Sequence, residues 1–214
     1  MANKIVMEKD ADGNVIKEHS YDPKGNLIYT HINEWKNGRI VRKDSYDSNG
    51  NKTASFPYEY DENGNNISGT WFNFKNGILM KTRRVFNKMN QVIEQINEGK
   101  GTIATNRSIR TYDEKGRLII DEYYGSWPDM APVYTINEYD DTDFMTKSTT
   151  EDSSHNVVHY SIYKKNEFNK VAEYTDYSAE GKPNYTIKYY FDKLGNRIKS
   201  EHYDGKGNLL TTEK

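Results

Sequence analysis

An aromatic-acidic pair followed by a glycine recurs from one end of the 214-residue sequence to the other, and no other feature restricts the fold as severely. The clear copies are Tyr21-Asp22-x-x-Gly25-Asn26, Tyr46-Asp47-x-x-Gly50-Asn51, Tyr60-Asp61-x-x-Gly64-Asn65, Tyr112-Asp113-x-x-Gly116-Arg117, Phe191-Asp192-x-x-Gly195-Asn196 and Tyr203-Asp204-x-x-Gly207-Asn208. Looser copies stand at Lys9-Asp10-x-x-Gly13, Trp35-Lys36-Asn37-Gly38, Phe74-Lys75-Asn76-Gly77, Phe86-Asn87-x-x-Asn90, Tyr139-Asp140-x-x-Asp143 and Tyr177-Ser178-x-x-Gly181. Most neighbouring second positions lie 12 to 14 residues apart, as from 10 to 22, 22 to 36 and 192 to 204. A strand of eight to ten residues and a turn of three or four together have that length.

Asp, Asn and Gly have a mechanical role in such a turn. The carboxylate or amide accepts hydrogen bonds from the backbone a few residues on, and glycine takes the left-handed conformation that reverses the chain. Between turns the apolar residues alternate: Phe56, Tyr58 and Tyr60 share one parity, as do Tyr185, Ile187, Tyr189 and Phe191, with Tyr190 on the opposite face. No stretch carries an apolar rhythm of 3.6 residues, which predicts very little helix. Strands joined by such short turns pair antiparallel with their sequence neighbours. The fold class is therefore all-β: one repeat domain over 1–214, a long up-and-down meander of about fourteen strands in a twisted or curled open sheet.

Two spacings break the rhythm. One insert loop is expected near 97–106, with Gly99-Lys100-Gly101-Thr102 at its centre. The other is expected near 123–133, where Pro128 and Pro132 exclude a central strand and Tyr123, Tyr124 and Trp127 cluster. Loops that depart from a repeat are common places for binding function.

Composition narrows the function classes. Thirty Lys and Arg against 32 Asp and Glu, interleaved along the chain, do not make the basic surface a nucleic-acid partner requires. Without cysteine there is no disulfide, thiolate metal site or thiol nucleophile. Only 34% of residues are hydrophobic and mean hydropathy is -1.02, yet 13% are aromatic, so the chain folds around a thin core. The N-terminal Met1-Ala2-Asn3-Lys4-Ile5-Val6 lacks the apolar run of a secretory signal, and nothing in the sequence is apolar enough for membrane insertion. The compartment stays unknown: a cytoplasmic protein, one exported without a signal, or one whose leader has been removed would read alike.

The repeat unit Tyr112-Asp113-Glu114-Lys115-Gly116-Arg117-Leu118 resembles the core of the YD repeat of RHS-type and teneurin-type proteins and related bacterial surface and toxin-shell proteins. Trp35-Lys36-Asn37-Gly38 and Phe74-Lys75-Asn76-Gly77 look like the shorter MORN-variant repeats of antitoxin-like bacterial proteins. The resemblance implies repeat architecture, a binding or scaffolding role, and carbohydrate or protein contact at a bacterial surface. It brings no catalytic residue. RHS shells are far longer chains with a proline- and aspartate-rich core signature, which these 214 residues do not contain.

Chemistry is sparse by motif. Asp10-x-Asp12-Gly13-Asn14 and Asp61-x-Asn63-Gly64-Asn65 alternate oxygen ligands as calcium loops do, but the glycine comes early and no closing glutamate follows. His155 and His159 lie four apart without a third ligand nearby, and no nucleophile elbow occurs. Gly99-Lys100-Gly101-Thr102 lacks the upstream glycine spacing of a phosphate loop. The expectation is a non-enzymatic binding module that uses no cofactor and no metal, has no catalytic residues, and contacts a protein or glycan. Its binding residues are expected at Tyr123, Tyr124 and Trp127, with Trp71 next, because rigid aromatics give large contact areas at low entropic cost. Two alternatives stay open: an immunity or antitoxin-like protein that neutralises a toxin, and a glycan-active enzyme on a β scaffold. Strand edges at either end also make sheet-edge self-association an expectation.

Overall fold

A computed structural model describes residues 3–74, 77–100, 105–126 and 130–213, and the side chains of Ile78 and Leu79 are left out. The described residues form seventeen β-strands, all paired antiparallel, and no helix. The strands gather into two compact units, Met1–Ser108 with Gly125–Asp129, and Ile109–Tyr124 with Met130–Lys214. The first unit holds β1 (Lys4–Lys9), β2 (Val15–Tyr21), β3 (Leu27–Lys36), β4 (Arg39–Asp47), β5 (Lys52–Tyr60), β6 (Asn66–Asn73), β7 (Ile78–Phe86), β8 (Val92–Gly99) and the start of β9 (Asn106–Tyr112). The second holds the rest of β9, then β10 (Leu118–Tyr124), β11 (Val133–Tyr139), β12 (Met145–Glu151), β13 (Val157–Lys165), β14 (Val171–Ser178), β15 (Pro183–Phe191), β16 (Arg197–Asp204) and β17 (Leu209–Glu213). From β1 to β8 and from β10 to β17, each strand pairs with its successor.

The repeated pair is the turn. At the second turn Asp22 Oδ1 accepts the backbone N–H groups of Lys24 and Asn26 at 2.8 Å each, and Oδ2 accepts the Asn26 amide at 2.9 Å. The Gly25 N–H closes on the Asp22 carbonyl at 3.0 Å, and the Asp22 N–H bonds to the Asn26 carbonyl at 2.9 Å. This is a three-residue hairpin loop whose last residue is left-handed and whose end is a bulge, the register shifting between Ser20 and Tyr21. The same backbone closure recurs at Asp10, Asp47, Asp61, Asn87, Asp113, Asp140, Asp152, Asn166, Ser178, Asp192 and Asp204. The left-handed position tolerates short polar substitutes: Asn90, Asp143, His155 and Asn169 stand there with φ of 59°, 65°, 62° and 57°.

Seventeen strands exceed the expected fourteen or so, because β8 and β9, and β10 and β11, are separate strands across the two gaps in the repeat and because the chain also turns at Asp152 and Asn166, outside the repeat copies. Asn166-Glu167-Phe168-Asn169 has asparagine at both marker positions and turns as the others do. The strands on either side of the expected insert loops also run further: β8 extends to Gly99 and β10 to Tyr124. Residues 101–104, with half of Gly99-Lys100-Gly101-Thr102, lie outside the described residues.

The core is as thin as the composition implies. Among the described residues only Ala54 and Phe144 are buried apolar side chains, while Ser20, Thr30, Ser45, Ser68, Thr82, Thr149, Ser161, Thr175 and Ser200 are buried hydroxyls in mid-strand. Small side chains occupy these positions, between larger cross-strand neighbours such as Tyr29 beside Ser20 and Tyr189 beside Ser200. Cross-strand pairs supply the cohesion. Lys164, Glu173, Lys188 and Glu201 face one another in register across β13 to β16 as a row of alternating charge. Pairs of this kind contribute about 0.2–1 kcal/mol each. No helix among the described residues is long and apolar enough to cross a membrane.

Candidate functional site

Trp71 is where the sequence expectation and the geometry meet. It lies on β6 and lines a cleft of about 440 Å³ with Phe56 and Tyr58 of β5, Gly69 of β6, and Met80, Thr82 and Arg84 of β7. The period of two places 56 and 58, 69 and 71, and 80, 82 and 84 on one face of three neighbouring strands. Phe56 and Trp71 stack, with ring centroids 6.4 Å apart and planes 20° apart. Gly69 stands in register between Tyr58 and Thr82, and its missing side chain leaves the gap that the rings border. A Cβ there would touch the Tyr58 ring at 3.5 Å. Burial raises the Tyr58 hydroxyl above the ordinary phenol pKa.

Tryptophan is used in two ways on this unit. The Trp35 indole donates to the Val15 carbonyl at 2.9 Å, beside Asn33 on the same acceptor, which ties β3 to β2. The Trp71 indole N–H has no acceptor among the described residues and is only partly buried, so its ring face and donor stay available.

A row of amides borders the aromatic shelf. Arg84 donates from Nη1 to Asn66 Oδ1 at 2.8 Å and from Nε to Gln95 Oε1 at 3.1 Å. Thr82 Oγ1 and Gln95 Nε2 both donate to Asn97 Oδ1, at 2.8 and 3.3 Å, and Asn97 Nδ2 donates to Asn106 Oδ1 at 2.8 Å. Each side chain is thereby fixed in one rotamer by its neighbour, and a fixed amide row beside stacked rings presents hydrogen-bonding groups at set spacings. Arg84 meets amide oxygens here, and no carboxylate lies in the cleft lining.

The other expected binding residues behave differently. Tyr123 and Tyr124 are not in an irregular loop but at the end of β10, with Tyr123 opposite Val133 of β11. The strand continues because Pro128 and Pro132 both fall beyond its last residue. Adjacent strand residues point to opposite faces, so the two rings do not form one platform. Tyr123 is exposed, whereas the Tyr124 hydroxyl donates to the Glu122 carboxylate. Trp127 lies outside the described residues. What motif reading missed were Phe56, Tyr58 and Arg84 as companions of Trp71. Their shared parity was legible, but the register joining β5, β6 and β7 was not.

Groups that resemble catalytic sets are held in structural roles. His159 Nδ1 and Ser161 Oγ both lie within hydrogen-bonding distance of Asp176 Oδ1, at 3.2 and 3.3 Å, and Asn184 Nδ2 donates to Oδ2 at 2.7 Å. Ser161 and His159 thus converge on the carboxylate and not on each other, whereas the serine that does meet an imidazole, Ser45 at 2.8 Å from His31 Nδ1, stands on a neighbouring strand pair in the first unit. Asp10 and Asp61, which sequence reading set beside calcium loops, bind their own turns instead. His155 stacks on Tyr134 with centroids 4.6 Å apart. Among the described residues no three His, Asp or Glu side chains converge as metal ligands would.

No family model matches the chain, and no curated protein matches it. Solved structures similar to it include a crystal structure of TcdB2-TccC3-Cdc42, at 12% identity and a TM-score of 0.47, covering 97% of this chain and 13% of that one. A crystal structure of TcdB2-TccC3 without its hypervariable C-terminal region is similar at 11% identity and a TM-score of 0.35, covering 97% and 15%. A porin-like protein from Bacteroides uniformis is similar at 11% identity and a TM-score of 0.45, covering 98% of this chain and 92% of that one. The chain therefore spans under one sixth of the toxin-complex chains it resembles. At these identities the likeness is weak, and the repeat reading rests on the hairpins themselves.

Proposed function

We propose that the chain is a non-enzymatic β-repeat module that binds a glycan on the Trp71 cleft. The observation that carries this reading is the stacked Phe56–Trp71 pair beside the Gly69 gap, bordered by amides held in fixed rotamers. The C–H face of a sugar ring packs on an indole, while its hydroxyls require donors and acceptors at fixed spacing, which amides supply. The absence of a carboxylate in the cleft lining supports a binding role over a hydrolytic one, since glycosidic cleavage uses two carboxyl groups across the bond.

The test is a glycan array followed by calorimetry on the full chain, beside Trp71→Ala and Gly69→Leu, with folding checked by circular dichroism. Truncating a central aromatic anchor should cost about 2 kcal/mol or more, roughly a thirtyfold rise in Kd. Gly69→Leu should abolish binding by filling the gap while leaving every ring in place. Glycan binding unchanged in both folded variants, or turnover of the bound glycan, would overturn the proposal. A protein partner recovered in place of any glycan would overturn the ligand class.

A further inference from the structure

The second unit carries its own concave aromatic surface, away from every residue of the Trp71 cleft in sequence. Tyr163 of β13, Tyr174 of β14, and Tyr189 and Phe191 of β15 line a cleft of about 540 Å³, closed at one end by Lys170 and Arg197. The aromatic wall is preorganised. Tyr163 and Tyr174 pack with centroids 5.2 Å apart, and the Tyr174 hydroxyl is fixed between Ser161 Oγ and the Tyr185 hydroxyl, each at 3.1 Å.

The two cations distinguish this cleft. Lys170 follows the Asn166 turn and Arg197 follows the Asp192 turn, so both reach the cleft because the turns of adjacent hairpins stand side by side. Lys170 Nζ donates to the Gly195 carbonyl at 2.5 Å and sits 6.0 Å above the Phe191 ring, and the Arg197 guanidinium lies 5.5 Å above the Tyr189 ring. Neither forms an ion pair among the described residues, in a chain that pairs Lys164, Lys165, Lys188 and Lys199 with carboxylates in the same unit. Lys170 favours the charge of Asp192, and that carboxylate is already bound by the backbone and side chain of Asn196 and the backbone of Leu194. The Arg197 fork is exposed and unpaired, and a guanidinium in that state takes a carboxylate with two parallel hydrogen bonds.

We propose that this cleft is a second binding site, selective for an acidic sugar: a pyranose ring packs on Tyr189 and Tyr174 while its carboxylate meets Arg197, with Lys170 as the second positive charge. The probes are a glucuronate-containing disaccharide and the matching neutral disaccharide, titrated into the full chain by calorimetry and by chemical-shift perturbation. The acidic probe should bind on the order of ten- to a hundredfold tighter than the neutral one, the range of a charge-assisted pair, and the difference should shrink as salt is raised. Arg197→Gln should remove that preference and Arg197→Lys should restore part of it. Tyr189→Ala should weaken both probes, and Lys164→Gln, which removes a cation of the same unit that lines neither cleft, should leave the preference unchanged. Equal affinity for the two probes, or a preference that survives Arg197→Gln in a folded protein, would overturn the proposal. Loss of the preference in Trp71→Ala as well would show that the acidic sugar binds at the other cleft and would equally overturn it.

Discussion

Replacing Gly25 by alanine isolates the backbone requirement of the repeat from every contact. Gly25 has φ of 87°, and a Cβ built on it meets nothing within 4 Å, so the substitution creates no clash. What remains is the cost of holding an L-residue in the left-handed region, roughly 1–2 kcal/mol. Asparagine tolerates that region and already fills the equivalent position at 90 and 169 with φ of 59° and 57°. Gly25→Asn should therefore recover at least half of the loss. In a chain of this size 1 kcal/mol moves the midpoint by about 2–4 °C, so Gly25→Ala should lower Tm by about 2–8 °C. Urea unfolding should show the midpoint falling with an unchanged slope, the signature of altered stability without altered compactness. Equal losses in the alanine and asparagine variants would refute the reasoning, as would no loss in the alanine variant, because either result would mean that the left-handed turn does not control the hairpin.

Three further outcomes follow from the same geometry. Gly205→Ala should be more damaging than Gly25→Ala, since its Cβ would lie 2.2 Å from the Pro183 carbonyl oxygen and force β15 and the 204–207 turn apart; the two variants compared by urea unfolding check this. Asp44→Ala should cost about 1–3 kcal/mol by the same assay, because the buried carboxylate accepts from Ser55 at 2.6 Å and draws Lys52 to 2.9 Å, a cation left without that acid, while Arg42, 3.3 Å from Asp44, keeps Glu34 at 2.8 Å. Acid should lower the stability of the protein over two pH ranges. Burial, and then the Lys43 charge, hold the His31 pKa below its ordinary 6.5, while hydrogen bonds from Asn26 hold Asp22 below its ordinary 3.8 and the turn carboxylates of Asp10, Asp47, Asp61, Asp113, Asp152, Asp192 and Asp204 are likewise lowered. In each case the unfolded chain binds protons first, so stability falls as pH falls: gently below 6.5, then steeply below about 4. Urea midpoints measured from pH 7 to 2.5 test the order, and an unchanged midpoint between pH 5 and 2.5 would contradict it.

The turns and the strand direction were legible in the sequence because a three-residue hairpin loop is a local object. Its carboxylate, its left-handed residue and its returning amide all lie within five positions, so residue identity alone specifies them, as at Asp22, Gly25 and Asn26. The Asn166–Asn169 turn carries the same asparagine pair as Asn87 and Asn90 but has Lys165 where the repeat has an aromatic, so the repeat pattern did not mark it, nor with it the placement of Lys170. Site membership was not local. Phe56, Tyr58, Gly69 and Arg84 stand beside Trp71 because β5, β6 and β7 pair in one register. A slip of one residue would send every one of them to the opposite face. The same argument moved Tyr123 and Tyr124 from a shared loop to opposite sides of a strand. The sequence by itself thus determined the hairpins, their direction and the thin, hydroxyl-rich interior. Only the tertiary structure decided which aromatics meet and which cations are left without an acid, since both depend on register between strands that the chain sets by bulges and turn lengths rather than by any motif.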